Sequence, residues 1–297
     1  MKKKILLLVN SVSGTRNAVN QLFNMIRFLT ERDCLVTIYP IVPEQGLVSE
    51  NLSSFIHDEH YDVIACCGGD GTMNHLINVV MNEHIYCPIG YIPTGSTNDF
   101  SKSMNAGKTL TLEEQCTAIA EGNTFVYDVG KVNDRYFNYI AAFGAFTKVS
   151  YDTPQKWKNV LGYGAYVLNM VGNIPGGITY RRHVKYEYDN GIGEGTFIFG
   201  AVCNTTSVAG VKSPLVQNAK MNDGLFEVIL VMAPNNIADL NQIVQKMSSG
   251  NTDDQHVIRF TTSHIHMTFD EPVCWTMDGE EYGAGKKYSN SPHEGCP

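Results

Sequence analysis

Apolar and polar positions alternate along this chain in two different ways, and the change comes near residue 125. Before that point, short apolar runs alternate with amphipathic segments, which predicts strands and helices in turn. Such an order is typical of a doubly wound α/β domain with a parallel sheet. We expect strands near residues 4–9, 35–40, 62–67 and 88–92, and helices near 16–32, 46–57, 71–83 and 111–121.

After residue 125, consecutive β runs replace the alternation. Turn sequences such as Asp189-Asn190-Gly191 separate some of them, which predicts hairpins and an antiparallel β-sandwich with helical insertions. The runs cover residues 125–132, 135–141, 184–188, 196–203, 225–232, 257–262 and 264–269. The predicted domains are residues 1–125, residues 126–275 and a C-terminal segment of residues 276–297.

Composition and charge narrow the class of protein. The 297 residues are 43% hydrophobic and 18% charged, which is ordinary for a globular chain with two cores. The apolar run after Met1-Lys2-Lys3-Lys4 is too short for a signal peptide, and no run approaches the roughly 18 residues of a membrane span. We therefore expect a cytoplasmic protein. The net charge of −8 argues against a nucleic-acid partner, because such proteins usually carry a basic surface.

Cysteines and histidines give little sign of metal or disulfide chemistry. The chain has eight cysteines, but no pair has Cys-x-x-Cys spacing and Cys66-Cys67 fall in a predicted buried strand. Reduced core thiols are therefore expected. His264-x-His266 would place two imidazoles on one face of a strand. A metal would need further ligands there, and none is evident, so a surface strand is the preferred interpretation.

The candidate chemistry begins where the apolar run 61–66 meets the segment Cys67-Gly68-Gly69-Asp70-Gly71-Thr72. A strand, a glycine turn and a helix in this order suit a phosphate, because the backbone can approach closely and the helix N-terminus offers N–H groups. Asp70 would repel a polyphosphate unless a cation lies between them or the carboxylate accepts a proton from an attacking hydroxyl. The turn predicts phosphoryl chemistry, and a plain turn with Asp70 as a cap is the alternative.

Two further loops follow predicted strands in the same way. Asn10-Ser-Val-Ser-Gly14 follows the first strand, and residues 91–100 combine a short strand, Gly95 and several hydroxyl and amide groups. Ligands of open α/β sheets bind beyond the carboxyl ends of strands, so the three loops are expected to face one nucleotide. A P-loop is excluded because Lys102 stands five residues before Gly107, where that motif needs glycine.

In their order and spacing, the motifs of this chain resemble the diacylglycerol kinase catalytic family, with bacterial lipid kinases and sphingosine kinases as the nearest relatives. The motifs are Asn10-x-x-Ser13-Gly14, Gly68–Thr72, Gly95–Phe100, Asp128-x-Gly130, Asn222–Val228 and Met277–Glu280. NAD kinases share the Gly-Gly-Asp-Gly turn but need an Asn-Glu pair well downstream. Here Asn82-Glu83 follows directly after the helix of the turn, so that family is rejected.

The resemblance implies an ATP-dependent lipid kinase that phosphorylates the hydroxyl of a lipid such as diacylglycerol, with Mg²⁺, in a cleft between the domains. It implies that Asp70 is tied to catalytic Mg²⁺ and that the acidic pair Asp278 and Glu280 supplies the general base. The nucleotide-binding residues that it implies are Asn10, Ser13, Gly14, Gly68, Gly69, Gly71, Thr72, Asn74, Gly95, Ser96, Asn98 and Asp99.

A second Mg²⁺ site is implied at the Asn-Asp-Gly-Leu turn. Its ligands would be the carboxylate of Asp223 and the carbonyl oxygens of Lys220 and Leu225, and an oxygen-only set fits a hard cation. A plain hairpin turn is the alternative. The chain departs from the family after Glu280, because residues 281–297 are polar and rich in Gly and Pro. A disordered tail and an altered native end are the two interpretations.

The remaining expectations concern the lipid and the membrane. A helix is predicted at residues 154–171, and core packing explains its aromatic face, although Trp157, Tyr163 and Tyr166 would also suit the border of a lipid-entry cleft. Short basic groups predict weak, transient contact with the inner face of the membrane. A homodimer is one option for the assembly, which the sequence leaves open. The competing hypothesis is a catalytically weak nucleotide- or lipid-binding protein of the same fold.

Overall fold

The structure is a computed structural model that describes two compact units. The first runs to Tyr127, and the second runs from Asp128 to Glu294. The described residues are 2–11, 17–41, 49–95, 98–105, 108–122, 124–144, 180–205, 207–208, 211–212, 219–236, 238–239, 242–243 and 256–293. The helix predicted at 154–171 lies outside them. Within these ranges, no helix is long and apolar enough to cross a membrane.

The first unit is a four-stranded parallel sheet with helices between its strands, as the alternating pattern predicts. The sheet order is β2-β1-β3-β4. The strands are β1 (Lys3–Asn10), β2 (Cys34–Ile41), β3 (Val63–Gly68) and β4 (Ile89–Pro93). The helices are α1 (Asn17–Thr30), α2 (Ser49–Asp58), α3 (Asp70–Asn82), α4 (Asp99–Met104) and α5 (Leu112–Glu121).

The central strand β3 is buried along its whole length and β1 is buried from Ile5 to Val9, as expected for a parallel sheet with helices on both faces. The chain leaves β1 for β2 on one side and later returns to place β3 on the other side. The order of the strands therefore reverses between β1 and β3. In open α/β sheets this reversal is where ligands bind, and the loops that follow β1 and β3 flank it.

The second unit is β-rich and antiparallel, which confirms the predicted fold class. Its larger sheet has nine strands, and a separate sheet has two. The strands are β5 (Val129–Val132), β6 (Arg135–Phe137), β7 (Ile140–Gly144), β8 (Arg182–Tyr188), β9 (Gly191–Cys203), β10 (Ser207–Val208), β11 (Val211–Lys212), β12 (Phe226–Met232), β13 (Val257–Thr262), β14 (Ile265–Met277) and β15 (Glu280–His293).

Two long strands fold the larger sheet around a core. One half of β9 pairs with β8 and the other half with β7. The two halves of β14 pair with the same partners, so these four strands form a closed ring of hydrogen-bonded neighbours. Inside it, the ring of Phe143 contacts the rings of Phe269 and Trp275 at centroid distances of 4.9 Å and 5.0 Å. This aromatic cluster fixes the strands that carry the loops described below.

The polar segment after Glu280 corrects one expectation, because it forms β15 as far as His293 and pairs with β14 and β5. A two-residue turn at Asp278-Gly279, with positive φ at both residues, closes the hairpin. The turn sets the register that pairs Met277 with Glu280. Backbone hydrogen bonds continue the ladder from there whatever the side chains are, so the polar composition does not prevent a strand.

Two other element predictions are also corrected. The run predicted over residues 135–141 is two strands, β6 and β7, because the backbone N–H groups of residues 138–140 donate to a side chain instead of a neighbouring strand. The run predicted over residues 125–132 becomes a strand only at Val129. Helix α4 was not predicted, since six residues are too few to show a helical period.

Candidate active site

The glycine turn joins β3 to α3 in a conformation that glycine makes possible. Gly69 is the N-cap of α3, and no side chain caps the helix. A Cβ atom on Gly68 would lie 2.6 Å from the Cβ of Thr72, so a larger residue would force the turn open. The N-terminus of the 13-residue helix α3 has no side-chain cap, and Gly69 and Gly71 are partly exposed there. Its N–H groups and positive dipole end suit the negative charge of a phosphate.

The loop after β4 stacks directly on this turn. The N–H of Thr94 donates to the carbonyl of Gly68 at 2.8 Å. A Cβ atom on Gly95 would lie 2.7 Å from the Cα of Gly69, so the two backbones touch. Asn98 adopts the left-handed conformation and its Nδ2 donates to the carbonyl of Gly95 at 2.8 Å. The glycine turn after β3 and the loop after β4 thus pack as one structure.

The loop after β1 joins them through one side chain. The Nδ2 of Asn10 donates to the Oγ1 of Thr72 at 2.8 Å. The structure therefore brings together residues from all three predicted loops at the carboxyl ends of β1, β3 and β4. Ser13, Gly14 and Ser96 lie outside the described residues.

Asp70 holds the loop after β4 in place. Its carboxylate is buried, and its two oxygens accept hydrogen bonds from the backbone N–H groups of Asp99 at 3.0 Å and Phe100 at 3.3 Å. It therefore caps α4 rather than its own helix. Burial, together with the charge of Asp70, raises the pKa of the nearby Tyr91 hydroxyl far above its ordinary value. The metal role implied for Asp70 stays a prediction.

Two other predicted nucleotide residues are buried in the same unit. Asn74 has no exposed surface, and its Oδ1 and carbonyl oxygen accept from the Nδ2 of Asn78 at 3.3 Å and 2.9 Å. Asp99 is 3% exposed, and its carbonyl accepts from the Oγ of Ser103 at 3.0 Å. The exposed surface of the turn is instead contributed by Gly69 and Gly71.

In the second unit, the acidic pair of the β14–β15 hairpin divides into two different roles. The buried carboxylate of Asp278 accepts from the backbone N–H groups of Asn138, Tyr139 and Ile140 at 2.6 Å, 3.0 Å and 3.2 Å. A carboxylate bound by three N–H groups is a structural clamp. Glu280 begins β15 and is exposed. Of the two, Glu280 is the one whose carboxylate faces solvent.

The turn before β12 places Lys220, Asp223 and Leu225 close together in the chain. Gly224 has a φ of +72°, which allows the tight bend. The exposed carboxylate of Asp223 accepts from the N–H of Leu225 at 3.2 Å. Carboxylate and carbonyl oxygens are what Mg²⁺ prefers, and the cation keeps several waters, so one carboxylate and two carbonyls fit it.

Sequence reasoning missed the residue that holds this turn. The buried Asp128 accepts from the N–H of Gly224 at 2.7 Å, and its own N–H donates to the carbonyl of Met221 at 2.7 Å. The signal was present in the motif Asp128-x-Gly130, but the sequence does not show which backbone groups the carboxylate meets. Asn204, which contacts the carbonyl of Asp128, was also missed.

Within the part of the chain that the structure describes, no three His, Cys, Asp or Glu residues cluster closely enough to hold a metal ion. The Nδ1 of His264 instead lies 2.6 Å from the Oδ1 of Asp189 at the surface. The described residues therefore offer no cation site built from several such side chains. The metal site predicted at the Asp223 turn would use one carboxylate and backbone oxygens, a type of site that a search for clustered side chains does not detect.

These features define a class: one parallel α/β unit with a glycine turn at an uncapped helix N-terminus, and one antiparallel β unit with an exposed acidic residue on a hairpin. The model of the diacylglycerol kinase catalytic domain matches residues 4–132. A diacylglycerol kinase from Staphylococcus aureus is 30% identical over 291 residues, which cover 98% of this chain and 89% of that protein. One from Staphylococcus epidermidis is 33% identical over 234 residues, with 78% and 72% covered.

Solved structures show the same fold. The crystal structure of a diacylglycerol kinase from Bacillus anthracis has a TM-score of 0.72 at 21% identity, with 99% of this chain and 94% of that chain covered. A second structure from that bacterium has a TM-score of 0.79 at 22% identity, with 98% and 93% covered. This chain belongs to the diacylglycerol kinase family. It is a lipid kinase.

Replacing Asp70 by Ala is expected to lower the free energy of unfolding by about 1–3 kcal/mol in EDTA, because the buried N–H groups of Asp99 and Phe100 lose their acceptor. Urea denaturation and hydrogen exchange across residues 99–104 measure the change. Asp62→Ala is the matched control, since that exposed carboxylate accepts one N–H, from Lys4 at 2.7 Å. If Asp70→Ala has the wild-type free energy of unfolding and hydrogen exchange in EDTA, Asp70 does not hold the start of α4 in place.

Proposed function

We propose that this lipid kinase transfers the γ-phosphoryl group of ATP to the hydroxyl of a lipid such as diacylglycerol, and that Mg²⁺ is required. The observation that carries the proposal is the exposed Glu280 carboxylate on a hairpin that Asp278 fixes through three backbone N–H groups. A general base must be held in place and still reach its substrate, and Glu280 meets both conditions.

The nucleotide phosphates are proposed to bind at the glycine turn. The uncapped N-terminus of α3 supplies N–H groups and a favourable dipole, while Gly68 and Gly69 let the backbone approach closely. Asp70 positions the loop of Gly95 and Asn98 beside this turn by binding the start of α4. These residues orient the phosphates, which is most of what catalysis of phosphoryl transfer requires.

The transfer step assigns a proton to Glu280. Its carboxylate accepts the proton of the lipid hydroxyl as the hydroxyl oxygen forms a bond to the γ-phosphorus. The bond between that phosphorus and the bridging oxygen breaks, and ADP leaves with the negative charge. Bound Mg²⁺ would neutralise charge on the phosphates, and Asp70 is the residue proposed to be tied to this ion. A second Mg²⁺ would be held by Asp223 with the carbonyls of Lys220 and Leu225.

Contact with the membrane is proposed to be peripheral and transient. Two basic side chains from the short basic groups have acidic neighbours: Lys2 lies 3.2 Å from Asp33, and Arg182 lies 3.6 Å from Glu271. Paired charges attract an anionic bilayer less than an unpaired basic cluster does. A location at the inner face of the membrane, reached from the cytoplasm, is part of the same proposal.

The function is tested by incubating the protein with γ-labelled ATP, Mg²⁺ and mixed micelles of diacylglycerol, phosphatidylglycerol, sphingosine or undecaprenol. We expect label in a lipid, diacylglycerol first, and none when EDTA is present. Binding of ATP without labelled lipid in any micelle would contradict the proposal and support a catalytically weak binding protein. Labelling of another lipid would support the kinase mechanism and change the assigned substrate.

Replacing Glu280 by Gln is expected to reduce kcat about 10²–10⁴-fold, because the base is lost. The urea midpoint should not change, since the side chain is exposed. The matched variant Asp278→Asn should instead lower the free energy of unfolding by about 1–3 kcal/mol, because an amide group replaces an acceptor of buried N–H groups. Steady-state kinetics and urea denaturation separate the two effects. Wild-type turnover in Glu280→Gln would exclude it as the base.

Replacing Asp223 by Ala is expected to raise the Mg²⁺ concentration for half-maximal turnover by about tenfold or more, because the one carboxylate of the proposed site is removed. Titration of activity with Mg²⁺ at saturating ATP measures it. Asp239→Ala is the control, since that surface aspartate also accepts a backbone N–H in a turn, from Asn235 at 3.1 Å. Equal Mg²⁺ dependence in the two variants would contradict the assignment of a metal-binding role to Asp223.

A further inference from the structure

A continuous chain of buried hydrogen bonds runs through the second unit from the Asp278 hairpin to the Asp223 turn. At one end, the Asp278 carboxylate binds the N–H groups of residues 138–140. At the other end, Asp128 binds the N–H of Gly224 and the carbonyl of Met221. The proposed base and the proposed metal turn are therefore both attached to one internal network.

Asn204 is the residue that joins the two ends. It follows β9 directly, where the pairing of Ile140 with Cys203 brings it beside Tyr139. Its N–H donates to the carbonyl of Tyr139 at 2.9 Å, and its side-chain Nδ2 donates to the carbonyl of Asp128 at 2.5 Å. One residue thus contacts the backbone held by Asp278 and the backbone of Asp128.

Burial makes these bonds effective. Asn204 has no exposed surface, and Asp278 and Asp128 are 3% and 9% exposed, so water competes little for their partners. Hydrogen bonds in such surroundings are stronger and less compliant than bonds at the surface. Asn204 therefore holds its two backbone partners firmly.

The side chain of Asn204 is costly for stability alone. Its Oδ1 is buried and has no hydrogen-bond partner among the residues that the structure describes. A buried acceptor left unsatisfied is destabilising, so the amide is not optimised as a structural element. Departures of this kind are expected where a residue serves the site.

We propose that Asn204 is a positioning residue that keeps the Asp223 turn in register with the Glu280 hairpin. Its amide fixes the backbone of Asp128, and Asp128 in turn fixes the turn that carries Asp223. The proposal rests on the proposed function for the roles of Asp223 and Glu280. The link between the two loops through Asn204 stands independently of that function.

The test compares Asn204→Asp and Asn204→Ala with Thr262→Val. The Asp variant keeps the shape but loses the Nδ2 donor, and the Ala variant removes the side chain. Thr262 is the matched control, because it is 1% exposed in the same unit and its Oγ1 donates to the carbonyl of His264 at 2.6 Å. This hydrogen bond does not belong to the network that Asn204 joins. All proteins are measured well below their urea midpoints, so that only folded molecules are compared.

Hydrogen exchange in EDTA is the first measurement. Both Asn204 variants should exchange faster than wild type at residues 221–225 and at 278–280, whereas Thr262→Val should not. Kinetics are the second measurement. We expect kcat to fall about 10–100-fold and the Mg²⁺ concentration for half-maximal turnover to rise in the Asn204 variants, with KM for ATP unchanged, since the nucleotide loops lie in the other unit.

The outcomes separate this inference from the proposed function. If wild type transfers no phosphate but exchange rises at both loops in the Asn204 variants only, the link is supported and the kinase mechanism fails. If wild type is active and the Asn204 variants keep its exchange and kcat, Asn204 is not a positioning residue. Equal losses of kcat in Thr262→Val and Asn204→Asp would show a general effect of stability and would also overturn the inference. If Asn204→Ala does not fold, Asn204→Asp alone decides.

Discussion

Buried carboxylates that accept backbone N–H groups hold the loops of both units, and the candidate site depends on them. Asp70 binds the start of α4, Asp128 binds the turn before β12, and Asp278 binds the segment between β6 and β7. Such charge-assisted bonds are about twice as strong as neutral ones and gain further in a low dielectric. Loops of this length have no core of their own, so the carboxylates supply the rigidity that a phosphate or proton transfer requires.

This constraint separates the acidic residues of the motifs into two groups. Asp70, Asp128 and Asp278 have their oxygens engaged by the fold, whereas Asp223 and Glu280 are exposed. Chemistry with a cation or a substrate hydroxyl needs oxygen atoms that can be reached, so the exposed pair suits it better.

The predictions from sequence succeeded where one local signal decides the structure. Apolar runs placed β1 to β4, and the glycine turn predicted the passage from β3 to α3. They failed where distant residues decide. The break between β6 and β7 arises because residues 138–140 donate to Asp278, which lies 138 to 140 positions away. The strand β15 forms because it pairs with β14, and the polar sequence after Glu280 does not predict this pairing.

The sequence by itself determined the order of the elements, the family and the residue types available for phosphoryl chemistry, because periodicity, glycine spacing and motif order are properties of neighbouring positions. Only the tertiary structure decided what each carboxylate does. Asp278 and Glu280 are separated by one residue and looked alike in sequence, yet the turn between them points one at buried N–H groups and leaves the other at the surface. The role of a carboxylate depends on the donors that folding brings within about 3 Å, and those donors are far away in the chain.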